Sequence, residues 1–157
     1  MSEKRITPEI ISSLATEDTI FVFGSNEAGT HGAGAAKFAI DHCGAYMHQG
    51  FGFMGQSFAI PTKDWNIVTL PLDVIEFYIK RFIAFTRTEE ISRWKFYVTQ
   101  VGCGLAGYAP EQIAPFFSDV IDQENIWLPK EFIDIINKKT NDNTNETDRD
   151  MEQSRKS

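Results

Sequence analysis

Phe96-Tyr97-Val98-Thr99, then Val101-Gly102-Cys103-Gly104-Leu105-Ala106-Gly107-Tyr108, then Pro110-Glu111-Gln112-Ile113 reads as a strand, a glycine loop and a helix start. Glycines in such a turn reach backbone angles closed to other residues, and they let main-chain N–H groups come close to a ligand. The helix N-terminus behind the loop adds a positive dipole end, so the segment is a candidate cradle for phosphate. Taken alone the pattern is weak, because many strand-end glycine turns bind nothing. A second unit of the same kind lies upstream. Thr19-Ile20-Phe21-Val22-Phe23 is an apolar run of strand length that suits a strand buried on both faces. It stops at Gly24-Ser25-Asn26, passes through His31-Gly32-Ala33-Gly34, and resumes as a helix at Ala35-Ala36-Lys37-Phe38-Ala39-Ile40.

Between and around these units the pattern continues. Thr7-Pro8-Glu9 opens a short helix with Ile10, Ile11 and Leu14 on its apolar face, Pro suiting the first turn. Cys43 to Gln56 mixes Gly44, Gly50, Gly52 and Gly55 with Tyr46, Phe51, Phe53 and Met54, and reads as an ordered loop. Phe51 and Phe53 are candidates to stack on a base, against the plainer role of folding back on the core. Ser57 to Ile60 reads as a strand ended by Pro61, with Thr62 to Asn66 a polar turn. Pro71 starts a helix whose apolar residues Leu72, Ile75, Ile79, Phe82 and Ile83 keep the helical period. Lys95 to Thr99 is the next strand, Pro110 starts a helix through Val120, and Ile126 to Pro129 forms a last short strand. Phe132, Ile133, Ile135 and Ile136 suit a small C-terminal helix. Residues 1–137 read as one domain. Residues 138–157 are almost wholly polar and read as a mobile tail.

Apolar strands alternating with amphipathic helices imply an α/β protein, a mainly parallel sheet with helices on both faces. Ligands of such sheets bind beyond the carboxyl ends of the strands. The loops at Gly24-Ser25-Asn26, at Thr62-Lys63-Asp64 and at Gly102 to Tyr108 can meet at that rim, which favours a phosphate-bearing small molecule.

Composition narrows the classes. The 157 residues are 42% hydrophobic and include 13 phenylalanines, enough for a packed core. A formal charge of −7 argues against strong non-specific nucleic-acid binding. Two distant cysteines, Cys43 and Cys103, suit a reducing compartment and suggest neither a disulfide framework nor a metal site. No apolar run is long enough for a bilayer, so a cytoplasmic protein with no membrane partner is expected.

The two glycine loops, together with Ile60-Pro61-Thr62-Lys63-Asp64, resemble the macro domain, an ADP-ribose-binding three-layer α/β fold. The similarity is to a small, phage-associated branch, and it spans residues 19 to 129. It implies ADP-ribose or a derivative as ligand, no cofactor, and, for a phage-encoded protein, a host-cytoplasmic location. By position it implies that Gly24, Ser25, Gly32, Ala33, Gly34 and Ala35 line one side of the ligand. Gly102, Cys103, Gly104, Leu105, Ala106, Gly107 and Tyr108 would line the other. Asn26 matches the asparagine that contacts the distal ribose and assists hydrolysis. The adenine-reading aspartate of the family has only Asp18 as a candidate here, against the plainer role of a solvated loop charge.

Two hydrolytic schemes follow from the resemblance. In the first, the protein is a phosphatase of ADP-ribose 1''-phosphate, Asn26 positioning the ribose or a water and His31 acting as acid or base. His31 also fits the role of a loop residue that caps the next helix. In the second, an ADP-ribosyl glycohydrolase attacks the anomeric carbon with Lys63, which falls on the family's Thr-Lys position. Ala106, however, stands where that branch carries its aspartate. Cys103 as a nucleophile is a third option, and a non-catalytic ADP-ribose-binding module is the competing class.

Overall fold

The structure, a computed structural model, describes residues 5–9 and 16–141. Its centre is β1 (Thr19–Asn26), buried over nearly its whole length. β3 (Ser57–Lys63) lies parallel on one side, with Phe21 opposite Ser57 and Phe23 opposite Ala59. β4 (Lys95–Val98) lies parallel on the other, with Ile20 opposite Phe96 and Val22 opposite Val98. The short strands β2 (Gly52–Met54) and β5 (Ile126–Trp127) complete a mixed five-stranded sheet in the order β2-β3-β1-β4-β5. Only β2 is antiparallel. β1, β3 and β4 therefore end at the same edge of the sheet.

Alternation along the central strands sets the packing, because successive side chains of a strand point to opposite faces. Ile20 and Val22 join Phe58, Ile60, Phe96 and Val98 in one core. Helix α2 (Leu72–Thr86) covers that core with Ile75, Ile79, Phe82 and Ile83. Phe21, Phe23 and Ala59 form the second core with Ala36 and Ala39 of helix α1 (Gly34–His42). The small residues of α1 let it lie close to the strands. The chain is thus an α/β protein with helices against both faces of the sheet.

Several elements differ from the sequence expectation. Gly24-Ser25-Asn26, expected in a loop, extends β1, because β3 continues beside it to Lys63. Pro61 does not end β3. A proline gives the ladder no N–H, and here the register shifts between Ser25 and Asn26 while Thr62 Oγ1 donates to the Ser25 carbonyl at 3.2 Å. The stretch from Cys43 to Gln56, read as a loop, contains β2. Phe51 packs edge-on against Phe58, and Phe53 lies over Trp94 and Phe85, so both aromatics fold back on the protein.

The helix expected from Pro110 to Val120 is α-helical only as α3 (Pro110–Ile113) and continues as a 3-10 turn over Ala114–Val120. Pro115, early in that second part, cannot donate the N–H that an α-helix requires. Thr7-Pro8-Glu9, expected to open a helix, is not helical: Ile6 bridges Leu128 in parallel and Thr7 N–H donates to the Leu128 carbonyl at 2.9 Å. The rest of that expected helix, at Ile10, Ile11 and Leu14, lies outside the described residues. The C-terminal helix, α4, runs over residues 130–141, past the expected domain end at 137. The remainder of the expected tail lies outside the described residues. Among the described residues, no helix is long and apolar enough to cross a membrane.

Candidate functional site

The parallel strands β1, β3 and β4 release their chains at one edge, and a cavity of about 560 Å³ opens there. Such a volume falls within the roughly 300–1,000 Å³ of small-molecule sites. Its walls come from the end of β1 (Gly24, Ser25, Asn26), the end of β3 (Thr62, Lys63) and the loop after β4 (Thr99 to Ala106). The segment from Gly32 into α1 closes the remaining side. The convergence expected from three strand-end loops is what the fold produces.

The first loop is held by its own side chains. Asn26 Nδ2 donates to the Thr30 carbonyl at 2.8 Å, and Thr30 N–H donates back to Asn26 Oδ1 at 3.0 Å. One amide thereby clamps both polar groups of one peptide position, and Asn26 acts first as the pin of this loop. His31 follows and turns away from the cavity. It is buried, packs edge-on against Phe23 with ring centroids 5.3 Å apart, and its Nε2–H donates to the Gln49 carbonyl at 2.9 Å. Burial is the main cause holding its imidazole below the ordinary value, and His48 adds to it. The Gln49 and Tyr46 carbonyls pull the other way.

Beyond His31 the chain reaches α1. No side chain caps its first turn, and no acidic residue stands there. The early N–H groups of an α-helix lack partners within the helix, and here Gly34, Ala35 and Ala36, the first residues of α1, line the cavity. The loop after β4 is held by main-chain bonds: Cys103 N–H to Gln100 O at 3.1 Å, Gly107 N–H to Gly104 O and Tyr108 N–H to Gly102 O, both at 3.0 Å. Gly102, with φ +81°, needs the freedom of glycine. Gly32 and Gly104 do not. Both lie outside the left-handed region, and a Cβ on either would meet nothing within 4 Å.

The polar side chains of the wall face mostly into the protein. Ser25 Oγ donates to the Gly50 carbonyl, and Thr99 Oγ1 to the Val22 carbonyl at 2.7 Å. Gln100 Nε2 lies 3.3 Å from Glu131 Oε2. Cys103 also lines the cavity, but burial first, and the carboxylates of Glu131 and Glu111 after it, push its thiol up to about 11. It therefore stays protonated at neutral pH, which weighs against nucleophilic use. Asp64 is turned to its own loop, its Oδ1 accepting from Asn66 N–H at 2.8 Å and Val68 N–H at 3.0 Å. Among the described residues, Lys63 is the one charged residue lining the cavity. The wall they form thus carries a single charged side chain beside small, polar and aliphatic residues, although the whole chain carries −7.

Of the residues singled out by sequence, Gly24, Ser25, Asn26, Gly32, Ala33, Gly34, Ala35, Lys63 and Gly102 to Ala106 share this cavity. His31, Gly107 and Tyr108 are not on its wall. Tyr108 instead donates its hydroxyl to the Leu70 carbonyl at 2.7 Å and fastens the end of the second loop. Thr30, Thr62, Ile67, Thr99 and Gln100 line the cavity without having been singled out as site residues. Thr99-Gln100 is legible as the strand end feeding a glycine loop, whereas Ile67 gives no signal in the sequence. A second cavity of about 500 Å³ adjoins the first through Gly34, Ala35, Thr99 and Gln100, and is walled further by Thr7, Glu9, Phe38 and Pro129. Among the described residues no group of three or more His, Cys, Asp or Glu is placed to hold a metal ion. No protein-family model, no curated protein and no solved structure matches the chain.

Proposed function

We propose that the chain has a macro-domain-like three-layer fold, and that its cavity binds ADP-ribose or an ADP-ribose derivative. The observation that carries this reading is the pair of glycines that the fold does not require. Gly32 and Gly104 lie outside the left-handed region and have open space where a side chain would stand, so a ligand lying against the main chain is what glycine serves there. The uncapped start of α1 and the lone Lys63 ammonium give that ligand its sign. It is anionic. The adjoining cavity beyond Gly34 and Thr99 leaves room at one end for a nucleoside, and the Lys63 end takes the second sugar. The resemblance to macro domains supports the same orientation.

The activity we assign is hydrolysis of ADP-ribose 1''-phosphate. Phosphoryl transfer passes through a loose transition state that asks mainly for positioning and charge stabilisation. The donors assigned to that task are the first turn of α1 and Lys63, and among the described residues lining the cavity none is an Asp, a Glu or a His. Water adds to phosphorus, the bond from phosphorus to the anomeric oxygen breaks, and one proton of that water passes to the released sugar hydroxyl. Asn26 holds the loop that presents the donors, and Lys63 stabilises charge on the transferred group. A specific observation also favours the glycohydrolase reading, since Lys63 stands in the cavity. Among the described residues none on that wall is a carboxylate, which disfavours it, because no acid then stands beside the leaving group there.

Calorimetric titration with ADP-ribose, with AMP and ribose 5-phosphate as controls, tests the binding reading. ADP-ribose binding well above both fragments is expected, and no heat at millimolar ADP-ribose, equivalent to less than about 4 kcal/mol of affinity, overturns it. Phosphate release from ADP-ribose 1''-phosphate tests the activity; tight binding without release leaves a binding module. Lys63→Arg separates the two chemistries. It keeps the charge and removes the nucleophilic amine, so phosphatase turnover persists while a lysine-dependent glycohydrolase stops.

A further inference from the structure

Ile67 stands in a backbone conformation that its side chain disfavours. Its φ is +64°, in the left-handed region where a β-branched residue is an outlier. The turn that imposes this is firmly built. Lys63 bridges Thr69, Asp64 N–H donates to Val68 O at 2.8 Å, and Ile67 N–H to Asp64 O at 3.1 Å. Asp64 Oδ1 takes the N–H groups of Asn66 and Val68. Glycine or asparagine would satisfy such a turn without strain. An isoleucine held there points to a use for its side chain, since strained positions cluster at ligand sites.

The position supplies that use. Ile67 lines the cavity and is 46% exposed, while Leu105, on the opposite loop, also lines it and is 78% exposed. The two loops are tied by Thr69 Oγ1, which donates to the Ala106 carbonyl at 3.0 Å. Two open aliphatic side chains thus flank the end of the cavity that holds Lys63; the other aliphatic residue of the wall beyond its alanines, Val101, is buried. They offer an apolar contact that water does not satisfy.

We propose that Ile67 is a specificity-determining residue: with Leu105 it covers the carbon face of the sugar ring that lies beyond the diphosphate, and so separates ADP-ribose from ADP. This inference rests on the ADP-ribose reading above. ADP lacks that second sugar and carries a further ionisable phosphate oxygen, so the contact is read from how each variant changes the ratio of the two affinities.

The test is calorimetric titration of the full chain and of Ile67→Asn, Ile67→Thr and Ile67→Val with ADP-ribose and with ADP, alongside melting temperatures. Ile67→Asn is expected to lower ADP-ribose affinity about tenfold and to leave ADP within about twofold, the scale of one lost apolar contact in a pocket. Its melting temperature is not lowered, because asparagine tolerates the left-handed conformation. Ile67→Thr, close to valine in shape but carrying a hydroxyl, weakens ADP-ribose alone and serves if the Asn variant fails to fold. Ile67→Val keeps a branched carbon face and most of the affinity. Equal weakening of both ligands by Asn and Thr, or weakening of neither, overturns the role of Ile67. ADP binding as tightly as ADP-ribose to the unchanged protein also overturns it, while leaving a diphosphate site in place. No binding of either ligand to the unchanged protein removes the reading on which it rests.

Discussion

The two glycine loops face one cavity, yet they are made in opposite ways. The loop after β1 is wired from within and from below. Asn26 clamps Thr30, His31 is sunk against Phe23, and the segment 48–50 passes so close that His48 N–H donates to Gly29 O at 2.8 Å. The loop after β4 is anchored at its start by Thr99 and Gln100 and at its far end by Thr69 and Tyr108. Between them it is held by main-chain turns and a long Cys103 Sγ–H bond to the Val101 carbonyl. Its residues Gly104 and Gly107 face open space. The same residue type therefore serves two purposes. Gly29 and Gly50 at the first loop and Gly102 in the second make room for protein, while Gly32 in the first and Gly104 in the second leave room for something that is not protein. A ligand would meet one rigid wall and one that can adjust.

The sharpest way to break this contrast is to add a side chain on each side. A Cβ on Gly50 would stand 2.3 Å from the Asn26 carbonyl oxygen and 2.7 Å from that of Glu27, and backbone cannot move aside cheaply. Gly50→Ala is expected to cost at least about 3 kcal/mol of stability, visible as a collapse of the chemical denaturation midpoint. Near-normal stability would show that the first loop is not held from below.

Gly104→Glu is the converse. It meets nothing in the protein, so the melting temperature stays near that of the unchanged chain. A carboxylate placed in the anion site should lower ADP-ribose affinity by about a hundredfold or more, some 2.7 kcal/mol. A folded Gly104→Glu protein that binds normally would put the cradle elsewhere.

Asn26→Ala probes the clamp. It removes two hydrogen bonds to one peptide position and is expected to cost about 1–2 kcal/mol of stability, with ADP-ribose affinity falling as Thr30 and the start of α1 lose their fixed position. Lost turnover with unchanged stability and binding would return Asn26 to a directly catalytic role.

The sequence made the β1 and β4 units readable because each repeats one order, a continuous apolar run, a glycine loop and a helix with small or well-spaced apolar residues. Strand ends that share a direction must share an edge, so the meeting of Asn26, Lys63 and Gly102 in one cavity could be reasoned in advance. What sequence could not carry was the direction of single side chains. His31 sits one residue before Gly32, yet the Asn26–Thr30 clamp rotates it into the core. Pro61 is an ordinary strand breaker until a register shift and the Thr62 hydroxyl accommodate it. β2 was hidden because Gly52 and Gly55 punctuate a stretch too short to show alternation. Ile67 reaches the cavity through a left-handed turn that isoleucine would not be expected to occupy.

The smallest effect tests why His31 belongs to the rigid loop rather than to the chemistry. Its imidazole is held below the ordinary value of 6.5, burial being the first cause. A histidine of this kind takes up its proton more readily in the unfolded chain. Its linkage therefore leaves stability untouched well above pH 6.5, and stability falls as the pH drops through 6.5 toward the folded value. The slope should stay short of the one-proton limit of about 1.4 kcal/mol per pH unit. His31→Gln, whose amide can still donate to the Gln49 carbonyl, should flatten the stability profile between about pH 5 and pH 6.5, above the ordinary titration of carboxylates. The same substitution should leave the pH dependence of phosphate release unchanged, since His31 is not on the cavity wall. A turnover profile that loses a limb near neutrality with His31→Gln would instead mean that the first loop opens during the reaction, and that the rigid wall is the adjustable one.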